Sequence, residues 1–416
     1  MRSKYIKVLA TVLLLLSFAA CKKYNSAGFT PGSGAPVISS VHTYSKTDTT
    51  TRMDTVVSYD TSGTKSLSFK FKSNTVSPFD STTTAGNLGN YYVIYGTNLG
   101  STTKITFNGA NAYFNRALIT DRSLIVQIPS TTPFIGTSAT DSLVVTTLYG
   151  KAYYKFKIIP PPPTVNAMSD LNFWTGSQIA LKGVGFTSVT SIGLTGTTAT
   201  VTIVQRTDTT MTLQFPSTTV SRASLVFNFT LVGNAQTGTM AMELIDLDNA
   251  YTIFYKNNFQ NSWVDNSWSH PSGPSTEATH SAPGTSSLRA NYPAGAWQIE
   301  GWAGWNGPGG GFSYDAGYKY LTFWVRGGTA DHTLVLVGDQ MTGGYGQIQL
   351  GAAMAIQKIL TPKGVWTYYR IPLGGGASQL NFWAGGNLAK QLGFFLQGQN
   401  GDVDEVMYFD EVAFVK

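Results

Sequence analysis

The stretch Tyr95-Gly96-Thr97-Asn98-Leu99-Gly100, followed by Ile105-Thr106-Phe107-Asn108-Gly109, decides the fold because it returns at a fixed distance. With an offset of 87 residues, Gly96 meets Gly183, Leu99 meets Phe186, Ile105 meets Ile192 and Phe107 meets Leu194. Gly109 then meets Gly196, Ala112 meets Ala199 and Asp121 meets Asp208. The run closes on Gln127-Ile128-Pro129-Ser130-Thr131-Thr132 against Gln214-Phe215-Pro216-Ser217-Thr218-Thr219, with no gap between the ends. Independent matches at one offset mark an internal repeat, two copies of one supersecondary unit.

The unit reads as a small β-sandwich. Ile105 and Phe107 alternate with polar neighbours, as do Leu124, Val126 and Ile128, the period of a half-buried strand. The glycines fall between such runs, where the chain must turn. One copy opens at Pro36 and the other at Pro163. The first has a longer approach, roughly residues 44–85, whose alternating pieces Val56 to Tyr59 and Leu67 to Phe71 predict an elaborated hairpin. Pro160 to Pro163 predict a short stiff joint between the copies.

Beyond about residue 248 the composition shifts. Eight of the nine tryptophans lie there: Trp263, Trp268, Trp297, Trp302, Trp305, Trp324, Trp366 and Trp383. Alternating runs at Tyr320 to Val325, Leu334 to Val337, Trp366 to Ile371, Leu392 to Gln397 and Met407 to Phe414 predict strands. No segment has the length and period of a strong helix. The whole chain of 416 residues, with 44 Gly, 17 Pro and only 12% charged residues, therefore reads as all-β: two sandwiches, then a two-sheet jelly roll.

The chain begins with an address. Arg2, Lys4 and Lys7 precede an apolar run from Val8 to Ala20, too short to cross a bilayer as a helix and shaped like a secretory signal. Ser17-Phe18-Ala19-Ala20-Cys21 resembles the bacterial lipobox, in which the cysteine becomes the acylated N-terminus. Cys21 is the sole cysteine of the chain, so no disulfide framework or cysteine-rich zinc site is available. Removal of residues 1–20 takes the formal net charge from +6 to +3. With no basic block to meet a phosphate backbone, nucleic acid is not an expected partner. Residues 21–35 then read as a tether rich in Gly, Ser and Pro.

The repeated motif resembles the IPT/TIG family of immunoglobulin-like domains, over residues 36–160 and, more weakly, 161–247. Residues 248–416 look like the carbohydrate-binding modules of β-sandwich fold. That likeness rests on Asn258-Phe259, Ser287-Leu288-Arg289, Leu321 to Val325, Gly364-Val365-Trp366 and Tyr408-Phe409-Asp410-Glu411-Val412. Together with the lipobox, the chain resembles the surface glycan-binding lipoproteins of Bacteroidota polysaccharide utilisation loci. The resemblance implies an outer-membrane lipoprotein without catalytic activity. It would bind xyloglucan, another β-glucan or a hemicellulose through its last domain and present it to an uptake complex. Lys22 and Lys23 stand where outward-facing lipoproteins of this group often carry acidic residues, which leaves the membrane face open between surface and periplasm.

A polysaccharide site needs aromatic faces for the C–H faces of the sugar, rimmed by amides and a few charges for its hydroxyls. The residues expected to supply it are Glu300, Trp302, Trp305, Trp324, Arg326, Asp339, Gln340, Tyr345, Gln347, Trp383 and Gln397. Gln298, Glu300 and Trp302 share one strand face, opposite Trp297 and Ile299. Trp297 and Trp366 read as core, and Trp263 and Trp268 as seals at the start of the domain. A hydrolase or lyase would need two carboxylates flanking the scissile bond, about 5–9.5 Å apart, and Glu300 with Asp339 is the conceivable pair. A structural or protein-binding role for the tryptophans is the third reading. The acidic residues Asp402, Asp404, Glu405, Asp410 and Glu411 read as solvated loop charges. The alternative for Asp410, implied by related jelly rolls, is a ligand to a structural Ca²⁺.

Overall fold

The computed structural model describes residues 31–59, 65–268, 272–280, 285–295, 297–346, 348–396 and 403–416. Among them the regular structure is strand with a few single 3₁₀ turns, so the all-β expectation holds. No described helix is long and apolar enough to cross a membrane. The chain divides into two compact units, with one boundary between Pro161 and Pro162. The approach segment forms a two-stranded sheet from Ser45–Tyr59 and Lys65–Pro78.

The first unit contains a sandwich. One sheet orders Val37–Thr43, Tyr91–Thr97 and Ser123–Gln127. The facing sheet orders Gly150–Lys155, Ser142–Thr147, Thr102–Phe107 and Ala110–Asn111. Ile94, Ile105, Phe107, Leu124, Val126 and Phe156 meet between them. Ile105, Phe107, Leu124 and Val126 are the alternating positions of the sequence.

The repeat is also a repeat of hydrogen bonds. Gly96 N–H donates to Arg122 O, and Gly183 N–H donates to Thr209 O, both at 2.9 Å. Leu99 N–H reaches Asp121 O as Phe186 N–H reaches Asp208 O. Gln127 Nε2 caps Gly89 O, and Gln214 Nε2 caps Gly176 O. Gly96 and Gly183 share one steric reason: a Cβ on either would collide with a carbonyl oxygen of the paired strand, Val37 O or Thr164 O. Each faces the irregularity where its partner strand slips register. Gly183→Ala is therefore expected to lower stability by about 1–3 kcal/mol, the usual cost of overpacking, and a denaturant midpoint unchanged from wild type would contradict this.

The second unit joins the second module to the C-terminal domain. Its module strands run from Thr164–Met168 at one edge to Asn172–Phe173 at the other in one continuous order, with Asn234–Asp246 next to the last. The C-terminal domain is a two-sheet sandwich. In one sheet Glu405–Val415 lies between Tyr251–Tyr255 and Ser287–Tyr292, and Tyr320–Arg326 pairs with both Glu405–Val415 and Trp366–Pro372. The other sheet orders Val264–Asp265, Ile299–Ala303, Gln391–Phe395, His332–Gly338 and Lys358–Thr361. Between them lies an aromatic core that includes Trp302, Phe323, Phe382, Phe394, Phe409 and Phe414.

The seam between module and sandwich is densely bonded. Ile245 and Leu247 pack with Tyr255, Ala413 and Val415, and Trp174 meets the Tyr255 ring edge-on at 5.5 Å. Arg222 Nε donates to Lys416 O at 2.7 Å. The Arg370 guanidinium lies 4.0 Å from the Tyr320 ring centre and pairs with Glu243. The acidic run near the end corrects the sequence reading. Glu405, Asp410 and Glu411 are buried, not solvated loop charges, and Asp404 alone of the described acids there is exposed. Asp402 lies outside the described residues. Their burial follows from the strand Glu405–Val415, which runs through the middle of its sheet.

Candidate functional site

Two adjoining depressions open on the C-terminal domain where the aromatic core reaches the surface. One, about 570 Å³, is lined by Tyr251, Gly311 to Ala316 and Tyr318. Its neighbour, about 220 Å³, shares Tyr314, Ala316 and Tyr318 and adds Lys319, Asn381, Phe382 and Trp383.

The local fold explains the arrangement. Phe312–Ser313 pairs with Leu388–Ala389, and Tyr314 N–H continues that pairing to Asn387 O at 2.7 Å. The Asp315 carboxylate accepts from Gly317 N–H at 2.7 Å, which turns the chain and brings Tyr318 back beside Tyr314. Trp383 is fixed by its own indole N–H, which donates to Phe312 O at 3.2 Å. Beneath it lie Phe312, Phe382 and Phe414, with ring centres 4.9–5.9 Å away. Tyr318 stacks on Trp383 at 6.2 Å and 24°, and Tyr314 meets it edge-on at 5.5 Å. Tyr314 is 52% exposed. These rings are held by the core before any ligand arrives, so little rotamer freedom remains to be lost on binding.

The rim carries charge and amide. Asp315 pairs with Lys416, which holds that carboxyl below its usual range and raises the lysine. Lys416 also lies 5.0 Å from the Tyr318 ring centre. Burial raises the Tyr318 and Tyr251 hydroxyls, so both stay protonated donors at neutral pH. Acceptor, cation, amide and hydroxyl thus surround three aromatic faces, which is the donor set a sugar ring requires.

A second aromatic surface covers the five-stranded sheet. Trp268, 51% exposed, lies nearly parallel to Trp297 at 5.9 Å and 18°. Tyr345 lies across Gly301, where a Cβ would clash with its hydroxyl, and beside Gly393, where a Cβ would be a tight contact. Trp297 Nε1 is buried with no hydrogen-bond partner.

Of the residues expected from sequence, Trp383 lines this cleft. Trp305 is exposed at 50% but lines neither depression. Trp302 is fully buried in the core, and Glu300 beside it is fully buried too, so neither reaches a bound chain. Glu300 and Trp302 share a face, as the alternation predicts, but that face turns inward. Trp324 is at the seam, where its Nε1 donates to Asp170 at 3.2 Å and its ring lies 3.9 Å from that of His280. Arg326 is half-buried beside the Tyr408 ring. Asp339 shapes a turn, accepting from Lys390 N–H, Gln391 N–H and Gln340 Nε2. Tyr345 is buried on the five-stranded sheet. Gln347, Gln397 and Cys21 lie outside the described residues.

Glu300 and Asp339 are therefore not placed as an acid–base pair. Glu300 is enclosed by Ser267, Ser272 and Trp302, and burial pushes its carboxyl up to about 8. The residues missed by sequence reading are Tyr314, Asp315 and Tyr318 in the cleft and Trp268 on the sheet. The segment Phe312 to Tyr318 mixes aromatic and polar residues without a strand period, so nothing in it separated surface rings from core rings.

No family model matches the chain. An IPT/TIG domain-containing protein of Bacteroides ovatus is 29% identical over 118 residues, 28% of this chain and 24% of that protein. The match thus spans about a quarter of the relative's length. Among solved structures, the surface glycan-binding protein PbSGBP-B of Prevotella bryantii is 17% identical. That likeness covers 93% of this chain and 99% of that one, with a TM-score of 0.47. SGBP-B from a xyloglucan utilization locus of Bacteroides uniformis is 15% identical, covering 92% and 99%, with a TM-score of 0.37. The Bacteroides ovatus SGBP-B in complex with a mixed-linkage heptasaccharide is 13% identical, covering 82% and 78%, with a TM-score of 0.29.

Proposed function

We propose that this chain is a non-catalytic polysaccharide-binding protein whose C-terminal sandwich holds a glycan in the Trp383 cleft. The observation that carries the reading is the preorganised ring group: Tyr314 and Tyr318 packed on Trp383 and open to solvent beside Asp315, Asn381 and Lys319. Aromatic faces remove the apolar C–H faces of a sugar from water, and the rim exchanges hydrogen bonds with its hydroxyls. The two immunoglobulin-like modules act as a spacer, and Cys21 carries the lipid anchor at the outer membrane. Many weak sites on one membrane then engage one polymer and gain avidity, which concentrates it near an uptake system.

The test is affinity electrophoresis of the full chain without its leader. Xyloglucan and mixed-linkage glucan, named for two of the similar structures, are the first probes, with mannan and xylan beside them. Retardation on at least one is expected. Tyr314→Ala, at an exposed position, should weaken binding by about 2 kcal/mol, a loss of roughly 30-fold typical of an aromatic anchor. Retardation on none of the four, or a Tyr314→Ala chain that binds like wild type, would sink the assignment.

A further inference from the structure

A second set of side chains, remote in sequence, converges in the seam of the second unit. Asp170 comes from the module, and His280 and Glu411 from the C-terminal sandwich. One ligand atom from each lies within 4.8 Å of the others. Asp170 and Glu411 are 5% and 1% exposed, and the His280 side chain is 7% exposed. His280 Nε2 is 3.3 Å from Asp170 Oδ2 but lacks hydrogen-bond alignment, and it stands buried with no hydrogen-bond partner. An orphaned imidazole nitrogen aimed at two buried carboxylates is costly unless something satisfies it.

The backbone builds this convergence. Between the pairs Trp324↔Asp410 and Thr322↔Ala413 the last strand carries one extra residue, a bulge. Glu411 sits in it at φ +52°, a conformation that favours glycine. The bulge breaks the alternation of Phe409, Val412 and Phe414 and turns Glu411 out of the core toward the module. Such strain persists where surrounding structure enforces it, often at functional positions.

Each carboxylate and the ring is held from behind. Asp170 Oδ1 accepts from Leu171 N–H, Asn172 N–H and Trp324 Nε1 at 2.7, 3.0 and 3.2 Å, so Oδ2 is directed at the imidazole. Asn172 Nδ2 donates to Glu411 Oε2 at 2.7 Å, and Tyr368 Oη donates to Asn172 Oδ1. The His280 ring lies against Trp324 and Trp366, at 3.9 and 5.2 Å. This is the outer support that orients metal ligands.

We propose that Asp170, His280 and Glu411 bind one divalent cation of the zinc class, which fastens the second immunoglobulin-like module to the C-terminal sandwich. Imidazole with carboxylates suits zinc, at about 2.0–2.2 Å per bond. Tetrahedral ligands at that length stand about 3.4 Å apart, so small side-chain rotations bring the three donors onto one ion. Calcium fits poorly, since it takes six to eight oxygens and this pocket offers an imidazole and indole walls. Asp410 is engaged by Ser287 Oγ and the Glu411 amide.

The experiment uses the untagged chain without its leader, stripped by chelator and titrated with ZnCl₂ by calorimetry. Metal content and melting midpoint are followed in parallel. One Zn²⁺ per chain is expected, with a midpoint that rises with Zn²⁺ and does not move with equal CaCl₂. His280→Gln and Asp170→Asn should each weaken binding by roughly 100-fold. Should either variant fail to fold, Co²⁺ in the wild-type chain supplies the readout, as visible bands of a low-coordinate nitrogen–oxygen site. Absence of stoichiometric Zn²⁺ binding by wild type, binding unchanged in both variants, an equal response to Ca²⁺, or a six-coordinate Co²⁺ spectrum would each overturn the proposal. Glycan binding is a separate readout, so failure here leaves the Trp383 cleft untouched.

Discussion

Trp302→Ala is expected to destabilise the C-terminal sandwich by about 3–5 kcal/mol, the cost of truncating a buried tryptophan. Its ring has no solvent exposure and meets Phe259, Phe394 and Phe409 with ring centres 5.4–6.4 Å away. Its indole N–H donates to Glu300 Oε1 at 2.7 Å, so truncation leaves both a cavity and a buried carboxyl with one donor fewer. In a domain of this size the loss corresponds to a fall in melting midpoint on the order of 10 °C. The same substitution would have been chosen to test a sugar platform. Lost glycan binding by a Trp302→Ala chain would therefore report unfolding, and near-UV circular dichroism must accompany the binding assay. A variant that kept the wild-type midpoint and lost only affinity would contradict the buried placement.

This case shows where sequence patterning stops. Alternation assigns residues to a common face, because successive side chains on a strand point to opposite sides. It grouped Glu300 with Trp302 correctly. It does not say which face is covered when both carry large apolar groups, and the strand Ile299–Ala303 is buried on both sides. Ile299 faces a satellite cluster with Val335, Val337 and Phe395, whereas Trp302 faces the main core. Glu300 looked like a surface carboxylate because buried acids are rare. Two seryl hydroxyls and an indole N–H remote or hidden in the pattern make its burial tolerable.

The modules were more legible for a physical reason. Gly96 and Gly183 are required by backbone contact with the neighbouring strand, a constraint that any copy of the fold must meet. Such positions survive divergence of the core around them, and so the offset is readable. The Trp383 cleft has no comparable constraint. Tyr314 and Tyr318 are placed by an Asp315 turn and by pairing with residues more than 70 positions away in sequence. The seam was likewise invisible, since Asp170, His280 and Glu411 span most of two domains.

Glu300 itself supplies the second large effect, an unusual dependence of stability on pH. Burial pushes its carboxyl from 4.5 in the open chain up to about 8 in the fold, and nearby Asp265 adds to the rise, against hydrogen bonds from Ser272, Trp302 and Ser267. Between those values the folded state holds a proton that the unfolded state has released. Stability from this group is then complete below about pH 4.5, falls as pH rises, and is gone above about 8. At about 1.4 kcal/mol per unit the difference amounts to roughly 5 kcal/mol. Glu300→Gln keeps the shape and an acceptor for Trp302 and removes the titration. Tyr292 and Tyr345 face the same carboxyl, but burial raises both further above the ordinary tyrosine range, so they do not titrate in this window. Asp410 is raised as well, chiefly by burial, and gives both chains the same residual slope. The expected result is two denaturation curves that agree near pH 4.5 and diverge steadily to pH 8, with the glutamine variant the more stable. Parallel pH profiles for the two chains would show that Glu300 is ionised in the fold, in conflict with its enclosure between the sheets.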